Sequence, residues 1–317
     1  MMPDIQYLLL LQKLREMTGG AFDEIFNAFS KISVDVLIFL PFVIYWAVSK
    51  EWGKRFIGAM FGSELVNAIT KLTVCAYRPW IRSDLIQPAG DSKTAATGYS
   101  FPSGHTNKAS SILGTAALWQ YKKQRWISIL CVICILLVGF SRNFLGVHTP
   151  QDVICGFLIS VIAVFAVGKI SELTDGNEKL ADILTLGGIL FVVFAIIYVQ
   201  LKSYPLDYVD GKLLVDPVKM QNDFFKVCGS FLALMTGLFI DRHFIHYEIP
   251  VGHKNLPILT AVGTGICFSW KAYFINPLFV KPFGGHWGNL IGYFITTFFV
   301  LVIFPIIIQK FTKSEEA

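Results

Sequence analysis

Charged residues are scarce in this sequence. They make up only 15% of its 317 residues, whereas soluble domains carry about a quarter. Hydrophobic residues account for 54% of the chain and stand in long runs instead of alternating with polar residues. This pattern excludes an ordinary soluble domain and a closed β-barrel. The composition therefore predicts an all-α, polytopic membrane protein.

Several kinds of site are also missing. Of the six cysteines, five stand inside apolar runs and Cys75 has no obvious partner, so no disulfide framework is expected. No Cys–His cluster has zinc-ligand spacing, and no acidic cluster could enclose magnesium. The sequence contains no nucleic-acid motif, internal repeat or low-complexity stretch. We therefore expect neither a metal ion nor another cofactor, and no nucleic-acid partner.

Long apolar segments are what the sequence has in place of charge. A helix needs roughly 20 mostly apolar residues to cross a membrane. Nine segments are predicted to do so, at residues 32–49, 55–75, 105–120, 126–142, 150–170, 180–200, 224–241, 257–276 and 287–309. The third is the least apolar because Lys108, Ser110 and Ser111 interrupt it, which suits a helix that faces a polar site instead of lipid.

The predicted spans fall into two groups, preceded by a segment of a different kind. Residues 1–30 carry apolar side chains at helical spacing, such as Phe22 and Phe26. They are predicted to form an amphipathic segment on the membrane surface, although an ordinary helix packed against the bundle explains the pattern equally well. Residues 31–200 are predicted to form a six-span catalytic core. Residues 201–317 are predicted to form an outer loop and three additional spans.

The loops between the predicted spans carry charge unevenly. The loops after the first and third spans each hold three cations and at most one acid: Lys50, Lys54 and Arg55, then Lys122, Lys123 and Arg125. By the positive-inside rule both are cytoplasmic, which puts residues 76–104 and 143–149 on the outer face, toward the periplasm, cell exterior or an organelle lumen. The chain has no Asn-x-Ser/Thr sequon, which favours a bacterial inner membrane over an endomembrane.

Three short motifs between residues 71 and 152 combine cations with histidine. The first is Lys71, six residues, then Arg78-Pro79; the second is Pro102-Ser103-Gly104-His105; the third is Ser141-Arg142, five residues, His148, three residues and Asp152. Permanent cations and two histidines on one membrane face suit a phosphate group. The charges hold the dianion, one imidazole attacks phosphorus, and the other protonates the departing oxygen.

The first motif supplies two kinds of cation. Lys71 ends a predicted span, where its flexible stem can bring the ammonium to an anion. Arg78 offers a planar fork to phosphoryl oxygens, and Pro79 disfavours helix at Arg78 itself. Cations that merely reach the membrane interface would look the same, so this motif alone does not decide the function.

The second motif opens the third predicted span. Ser103 can cap a helix, and Gly104 lets backbone N–H groups approach an oxyanion closely. His105 follows on the first turn and is directed to the same space. A plain helix start explains part of this motif.

The third motif is the most specific. Thr149 and Pro150 are typical of a helix start, and Asp152 follows three residues after Thr149, as in a capping box. Asp152 can also hydrogen-bond one ring nitrogen of His148, four residues away, and leave the other as a nucleophile. Both interpretations stay open at this point.

Together the three motifs resemble those of the type 2 phosphatidic acid phosphatase superfamily, which also includes vanadium haloperoxidases and glucose-6-phosphatase. The chain matches every position of the family's three motifs, in order. The resemblance implies a helical core of that family and a reaction without metal. It implies that the phosphoryl group is bound by Lys71, Arg78, Ser103, Gly104 and Arg142. It also implies that His148 is a nucleophile forming a phosphohistidine, Asp152 its orienter and His105 the general acid.

The expected function is that of an integral-membrane, metal-independent phosphatase acting on a phosphate monoester or diphosphate, with a lipid or polyprenyl substrate favoured. One alternative is a phosphotransferase with an acceptor other than water. Another is a non-enzymatic transporter or scaffold that retains the fold. In a transporter, Glu64, Lys108 and Lys271, which lie inside predicted spans, would mark a translocation path. The expected partners are a phosphorylated lipid or other phosphate ester, and membrane lipids. The sequence names neither the exact substrate nor the oligomeric state.

Overall fold

The computed structural model describes residues 2–209 and 211–313. Its α-helices are α1 (Pro3–Met17), α2 (Asp23–Asp35), α3 (Leu40–Ala47), α4 (Lys50–Val74), α5 (Pro79–Arg82), α6 (Ser92–Ala95), α7 (Gly104–Gln120), α8 (Arg125–Phe144), α9 (Pro150–Thr174), α10 (Glu178–Leu201), α11 (Pro217–Ile240), α12 (Leu256–Ser269), α13 (Lys281–Phe283), α14 (Gly285–Phe298) and α15 (Phe304–Lys313). A 3₁₀ turn spans Leu37–Phe39, and π-helical turns span Asp241–Ile245, Trp270–Phe274, Asn276–Val280 and Phe299–Ile303. Strands β1 (Tyr208–Val209) and β2 (Lys212–Leu213) pair antiparallel.

Several helical segments are long and apolar enough to cross a membrane. Among the described residues there are six: Asp23–Ala47, Arg125–Phe144, Pro150–Thr174, Glu178–Leu201, Pro217–Ile245 and Gly285–Thr312. The bent pair Leu256–Phe274 and Asn276–Phe283, which meet at 48°, makes a seventh if it is counted as one span. The prediction of an all-α integral membrane protein is confirmed.

The predicted number of about nine spans is not confirmed. The difference lies in the predicted spans 55–75 and 105–120, which correspond to α4 and α7. α7 has only 17 residues and buries polar side chains, among them Asn107, Ser110 and Ser111. α4 has an acidic residue in its first turn and a basic residue in its last. A helix whose polar face is enclosed by protein can be less apolar than one that faces lipid, so hydropathy alone does not decide whether these two cross.

The chain divides into two compact units. The first consists of Met1–Ile38, Val66–Val164 and Ser203–Met220, and the second of Phe39–Leu65, Phe165–Lys202 and Gln221–Ala317. All eight residues of the predicted site lie in the first unit. The predicted domain boundaries at residues 30 and 200 stay a prediction.

In the first unit, the N-terminal helices pack on elements that carry the motifs. Ile5 of α1 belongs to a buried cluster with Ile86, from the segment between motifs one and two. The Phe26 ring of α2 lies 4.7 Å from the Phe144 ring of α8, measured between centroids. An amphipathic pattern suits such packing as well as a membrane surface. Contact of residues 1–30 with the membrane stays a prediction.

In the second unit, a buried carboxylate joins two helix ends. Asp241, which follows α11, is 1% exposed and pairs with Lys50 at 2.9 Å and Lys54 at 3.2 Å, both in the first turns of α4. The backbone N–H of Tyr247 also donates to this carboxylate, at 3.0 Å. Breaking a buried ion pair leaves an uncompensated charge and is strongly destabilising. These pairs therefore fix the start of the helix whose last turn carries Lys71.

Cysteine labelling tests the predicted orientation. The side chains of Asp91, Lys93 and Gln124 are exposed. A cysteine at position 91 or 93 should react in intact cells with a membrane-impermeant maleimide, because residues 76–104 are predicted to lie outside. Gln124→Cys should react only after the cells are permeabilised. The unsubstituted protein, whose own thiols include Cys75, sets the background. The opposite labelling pattern would place the candidate site on the cytoplasmic face.

Candidate functional site

The three motifs come together in the first unit. Arg78 precedes α5, Ser103 caps α7, Arg142 lies in the last turn of α8, and His148 lies between α8 and α9. Arg78, Arg142 and His148 are only 6%, 3% and 2% exposed. In the described part of the chain, no group of three or more His, Cys, Asp or Glu is placed to hold a metal ion. Buried guanidinium groups require hydrogen-bond partners, and those partners show how each group is held.

A tight turn between α8 and α9 sets the spacing of Arg142 and His148. The carbonyl of Arg142 accepts the backbone N–H groups of Val147 and His148, both at 3.2 Å. Gly146 makes the turn possible, because its φ of +72° lies in the left-handed region that glycine adopts without steric cost. Nδ2 of Asn143 donates to the carbonyl of His148 at 2.9 Å. One turn of backbone thus fixes both functional side chains of the third motif.

Asp152 fills both of the roles that its position allows. Its Oδ2 accepts the backbone N–H of Thr149 at 2.8 Å, while Oγ1 of Thr149 accepts the N–H of Asp152 at 3.4 Å. The two residues therefore form a reciprocal capping box at the start of α9. The same Oδ2 lies 3.4 Å from Nδ1 of His148. Helix cap and histidine partner are one carboxylate, and the capping bonds hold it beside the ring.

The tautomer of His148 follows from its neighbours. NH1 of Arg78 lies 2.9 Å from Nε2 of His148. Because arginine only donates hydrogen bonds, Nε2 is the accepting nitrogen and the ring proton stands on Nδ1, toward Asp152. Burial lowers the pKa of His148 well below its usual value, and Arg78 and Arg142 lower it further against the opposing effect of Asp152. The ring is therefore neutral at pH 7, with its lone pair on Nε2.

Backbone carbonyls surround Arg78. Its Nε donates to the carbonyl of Gly98 at 3.0 Å, and its NH1 donates to the carbonyl of Val147 at 2.9 Å. NH2 donates to the carbonyl of Thr97 at 3.4 Å. Burial lowers the pKa of Arg78 to about 10, with Asp152 opposing, so the guanidinium keeps its charge at neutral pH. These carbonyls hold the Arg78 guanidinium beside the imidazole ring of His148.

Lys71 contacts the segment that leads into motif two. Its ammonium donates to the carbonyls of Pro102 at 2.7 Å, Tyr99 at 3.0 Å and Ser100 at 3.4 Å. The structure thus places Lys71 beside the second motif, with carbonyl oxygens around its charge. Contact of Lys71 with a phosphate stays a prediction.

The second motif starts α7 beside Asp152. Oγ of Ser103 accepts the backbone N–H of Thr106 at 3.4 Å, and the N–H of Ser103 donates to the carbonyl of Asp152 at 2.9 Å. Motifs two and three are therefore joined through the main chain. At Gly104, a Cβ would meet no atom of the described residues within 4 Å outside its own helix start. Open space thus faces a helix N-terminus, where N–H groups and the helix dipole favour an anion.

His105 stands on the first turn of α7 and is half-buried. Burial lowers the pKa of His105 well below its usual value, and the positive charge of Arg142 acts in the same direction. The imidazole is therefore neutral at pH 7 in this structure. To serve as an acid it must first gain a proton, which requires a change in the charge around it.

Arg142 has one edge that is fixed and one that is not. Its NH1 donates to Oγ of Ser30 at 2.7 Å. Its Nε is buried and has no hydrogen-bond partner among the described residues. An unpaired buried donor is costly, so this N–H marks a place that fits an oxygen of a bound anion.

Two serines at the site have no signal in the sequence. Ser30 belongs to α2, in a segment predicted only as amphipathic. Ser100 lies in the segment before motif two, where its Oγ donates to Oδ2 of Asp152 at 2.6 Å and stands 3.5 Å from Nδ1 of His148. Ser100 thus gives the carboxylate a further donor beside the imidazole.

Sequence reasoning also missed two residues of α9, Gly156 and Ser160, that lie against α7 and its N-cap. Nδ2 of Asn107 donates to Oγ of Ser160 at 2.9 Å, and Ser160 Oγ donates in turn to the carbonyl of Asn107 at 2.7 Å. At Gly156, a Cβ would stand 2.6 Å from the carbonyl oxygen of Ser103. Asp152, Gly156 and Ser160 follow one another at four-residue steps on one face of α9. From this regular spacing of small and polar residues, Gly156 and Ser160 could have been predicted to face α7.

Comparison with known proteins agrees with the motifs. Residues 52–173 match the family model of the PAP2 superfamily. The resemblance that the three motifs suggested is confirmed. Residues 52–173, here called the PAP2 segment, contain all three motifs and most of α9. Helices α1 and α2 lie outside it.

Curated relatives match parts of the chain. It is 34% identical over 95 residues to an undecaprenyl-diphosphatase of Sulfolobus acidocaldarius, which covers 30% of this chain and 43% of the relative. It is 28% identical over 131 residues to phosphatidylglycerophosphatase B of Bacillus subtilis, covering 39% and 60%. It is 42% identical over 66 residues to phosphatidylglycerophosphatase B of Escherichia coli, covering 20% and 26%. The chain thus covers less than two thirds of each relative. No solved structure matches it with comparable significance.

Gly156→Ala tests how closely α9 must approach motif two in the PAP2 segment. The added methyl would stand 2.6 Å from a backbone oxygen of Ser103, so the helix must shift and take Asp152 with it. We expect a loss of about 1–3 kcal/mol in stability, measured as a lower melting temperature in detergent. Gly168→Ala, on the same helix with nothing within 4 Å, is the matched control and should not lower it. Equal melting temperatures in the two variants would contradict the close-packing argument.

Proposed function

We propose that the chain is an integral-membrane phosphatase that hydrolyses a phosphate monoester or diphosphate of a lipid or polyprenyl group through a phosphohistidine. The observation that carries the proposal is a buried His148 whose Nε2 faces Arg78 while its Nδ1 faces Asp152. The names of the relatives, undecaprenyl-diphosphatase and phosphatidylglycerophosphatase B, support a phosphatase of phosphorylated lipids.

Cations and the start of α7 bind the phosphoryl group. Arg78 and Arg142 provide permanent charges, and the unpaired Nε–H of Arg142 provides a donor for one oxygen. Backbone N–H groups after Ser103 and Gly104 add a helix N-terminus that favours an anion. Lys71 adds positive charge from the side of motif two. Because side chains supply the positive charge, the proposed reaction needs no metal ion.

His148 attacks phosphorus through Nε2. A phosphorus–nitrogen bond forms while the bond to the leaving oxygen breaks, and that oxygen takes a proton from His105. Asp152 accepts the hydrogen bond from Nδ1 and stabilises the positive charge that the ring acquires. Water then attacks phosphorus, His105 takes its proton, and inorganic phosphate leaves Nε2.

Attack requires Arg78 to release the nucleophile. In this structure NH1 of Arg78 donates to Nε2 of His148, and a lone pair that accepts a hydrogen bond cannot attack. A phosphoryl oxygen is charged and is therefore a stronger acceptor for a guanidinium than a neutral imidazole nitrogen. Binding of the substrate thus turns NH1 to the phosphoryl group and frees the lone pair.

Bound phosphate also prepares His105. Burial lowers the pKa of His105, and so does the positive charge of Arg142. A phosphate dianion placed among these charges offsets them and raises the pKa again. His105 takes up its proton when the substrate is bound, which is when a general acid is required.

The proposed location of the reaction is the exoplasmic face of a membrane, with a bacterial inner membrane favoured. The support is the distribution of loop cations, which assigns residues 50–55 and 122–125 to the cytoplasm and the motif loops to the opposite side.

Phosphate release by the purified protein tests the proposal. With EDTA present, the protein should release inorganic phosphate from undecaprenyl diphosphate or phosphatidylglycerol phosphate. Orthovanadate should inhibit, because its trigonal-bipyramidal form on Nε2 mimics the transition state. His148→Ala should lower turnover by roughly 10³-fold or more. Asp152→Asn should lower it by less, because it disturbs the tautomer of the ring but leaves the nucleophile in place. His253→Ala, outside the PAP2 segment, is the matched control.

Several results would contradict this scheme. Turnover of His148→Ala within about tenfold of wild type, a barrier change of only ~1.4 kcal/mol, would exclude His148 as the nucleophile. Activity lost with EDTA and restored by zinc or magnesium would refute the metal-independent reaction. Faster phosphoryl transfer to an added alcohol than to water would identify a phosphotransferase.

The role of His105 is tested by changing the leaving group. An alkyl phosphate leaves as an alkoxide and needs a proton, whereas para-nitrophenyl phosphate leaves as a stable phenolate. His105→Ala should therefore lower lipid phosphate hydrolysis by roughly 10²–10⁴-fold, and the burst of para-nitrophenolate that accompanies phosphoenzyme formation much less. His148→Ala should abolish both. Equal losses with the two substrates in His105→Ala would make His105 a binding or structural residue instead of the acid.

A further inference from the structure

Two helices outside the PAP2 segment hold the end of α8. NH1 of Arg15, in α1, donates to the carbonyl of Phe144 at 3.2 Å. The Phe26 ring of α2 lies 4.7 Å from the Phe144 ring. Phe144 is the last residue of the helix that carries Arg142 in its last turn. α1 and α2 therefore fix the backbone from which the Arg142 side chain extends.

Ser30 of α2 contacts the Arg142 side chain itself. Oγ of Ser30 accepts a hydrogen bond from NH1 at 2.7 Å. The two residues are 0% and 3% exposed, so water does not compete for this bond, and a bond from a charged donor is among the stronger ones. A guanidinium is planar and rigid. Fixing NH1 therefore sets the direction of the Nε–H as well.

We infer that Ser30 is a positioning residue for phosphoryl binding. Its hydroxyl holds the Arg142 guanidinium in the orientation that leaves the Nε–H for an oxygen of the phosphoryl group. That Nε is buried and has no hydrogen-bond partner among the described residues. Its N–H is therefore available to donate a hydrogen bond to a ligand. The inference rests on the proposed function, because it takes the ligand of Arg142 to be a phosphoryl group.

The inference gives the N-terminal helices a part in the site that no motif of the PAP2 segment supplies. Without the Ser30 hydroxyl, NH1 of Arg142 has to find another acceptor, and the guanidinium turns. The Nε–H is then no longer directed to the phosphoryl oxygen. Because a positioned donor acts on the bound phosphoryl group before any bond changes, its loss should raise KM more than it lowers kcat.

Binding of orthovanadate to the full-length protein in detergent tests this without requiring turnover. A ligand that binds the folded state raises the melting temperature, from which an apparent Kd follows. Ser30→Ala should weaken vanadate binding by about tenfold, or ~1.4 kcal/mol. Lys31→Ala, the next residue on α2 with an exposed side chain, is the matched control and should bind as wild type does. In an Arg142→Ala background, Ser30→Ala should cause no further weakening, since interacting residues are not additive.

A second variant covers the case in which Ser30→Ala does not fold. Ser30→Cys is close to serine in size, but its sulfur is a weak acceptor. It should keep the melting temperature near that of wild type and still weaken vanadate binding. Both Ser30 variants should raise KM for a phosphorylated lipid more than they lower kcat.

The outcomes separate this inference from the proposed function. Unchanged vanadate binding in both Ser30 variants would overturn the inference and leave the phosphatase intact. An equal further loss in the Arg142→Ala background would overturn it too, because Ser30 would then act by another route. A wild type that binds vanadate and hydrolyses no phosphate ester would refute the proposed function, while the Ser30 variants would still decide the inference on binding. Failure of the wild type to bind vanadate would refute both.

Discussion

Two guanidinium groups are buried in one cluster, and this constraint organises the rest of the site. A buried charge is costly unless it is hydrogen-bonded. Arg78 meets this requirement with the carbonyls of Gly98 and Val147, and Arg142 with the hydroxyl of Ser30. These acceptors are neutral, so they stabilise the cations without cancelling their charge. The result is a cluster that keeps a positive potential, which attracts a phosphate from a distance as well as on contact.

The helix starts serve the fold and the site through the same bonds. Helix N-termini leave N–H groups unpaired, so caps would be expected without any chemistry. Thr149 and Asp152 cap α9, and the carboxylate oxygen of Asp152 that accepts the capping bond also lies beside Nδ1 of His148. Ser103 caps α7, and its own N–H is tied to the carbonyl of Asp152. A change that weakens either cap therefore displaces a functional group, which makes stability and activity hard to separate at these positions.

The third motif could be predicted from the sequence because its residues are close along the chain. The first two motifs are joined to it only by the resemblance to a family, since Arg78 stands 70 positions from His148. The third motif spans one turn and one helix start, so spacing alone brings His148 beside Asp152. Ser30 and Ser100 could not be predicted, because they stand 112 and 52 positions from Arg142 and Asp152 respectively, and no short-range rule reports such contacts. The membrane class follows from composition. The number of spans does not, because a helix such as α7 buries its polar side chains inside the protein, and hydropathy cannot distinguish that from exposure to water.

The same positive charge acts on two histidines that need opposite protonation states in the proposed mechanism. A nucleophile must be neutral, and burial with Arg78 lowers the pKa of His148. A general acid must be protonated, yet the surroundings of His105 lower its pKa as well. A phosphate dianion between them raises both pKa values, but access differs. The accepting nitrogen of His148 faces Arg78 in this structure, and the residue is only 2% exposed. His105 is half-buried and open to a proton. In the proposed mechanism this difference in exposure favours protonation of His105, the acid, over His148, the nucleophile.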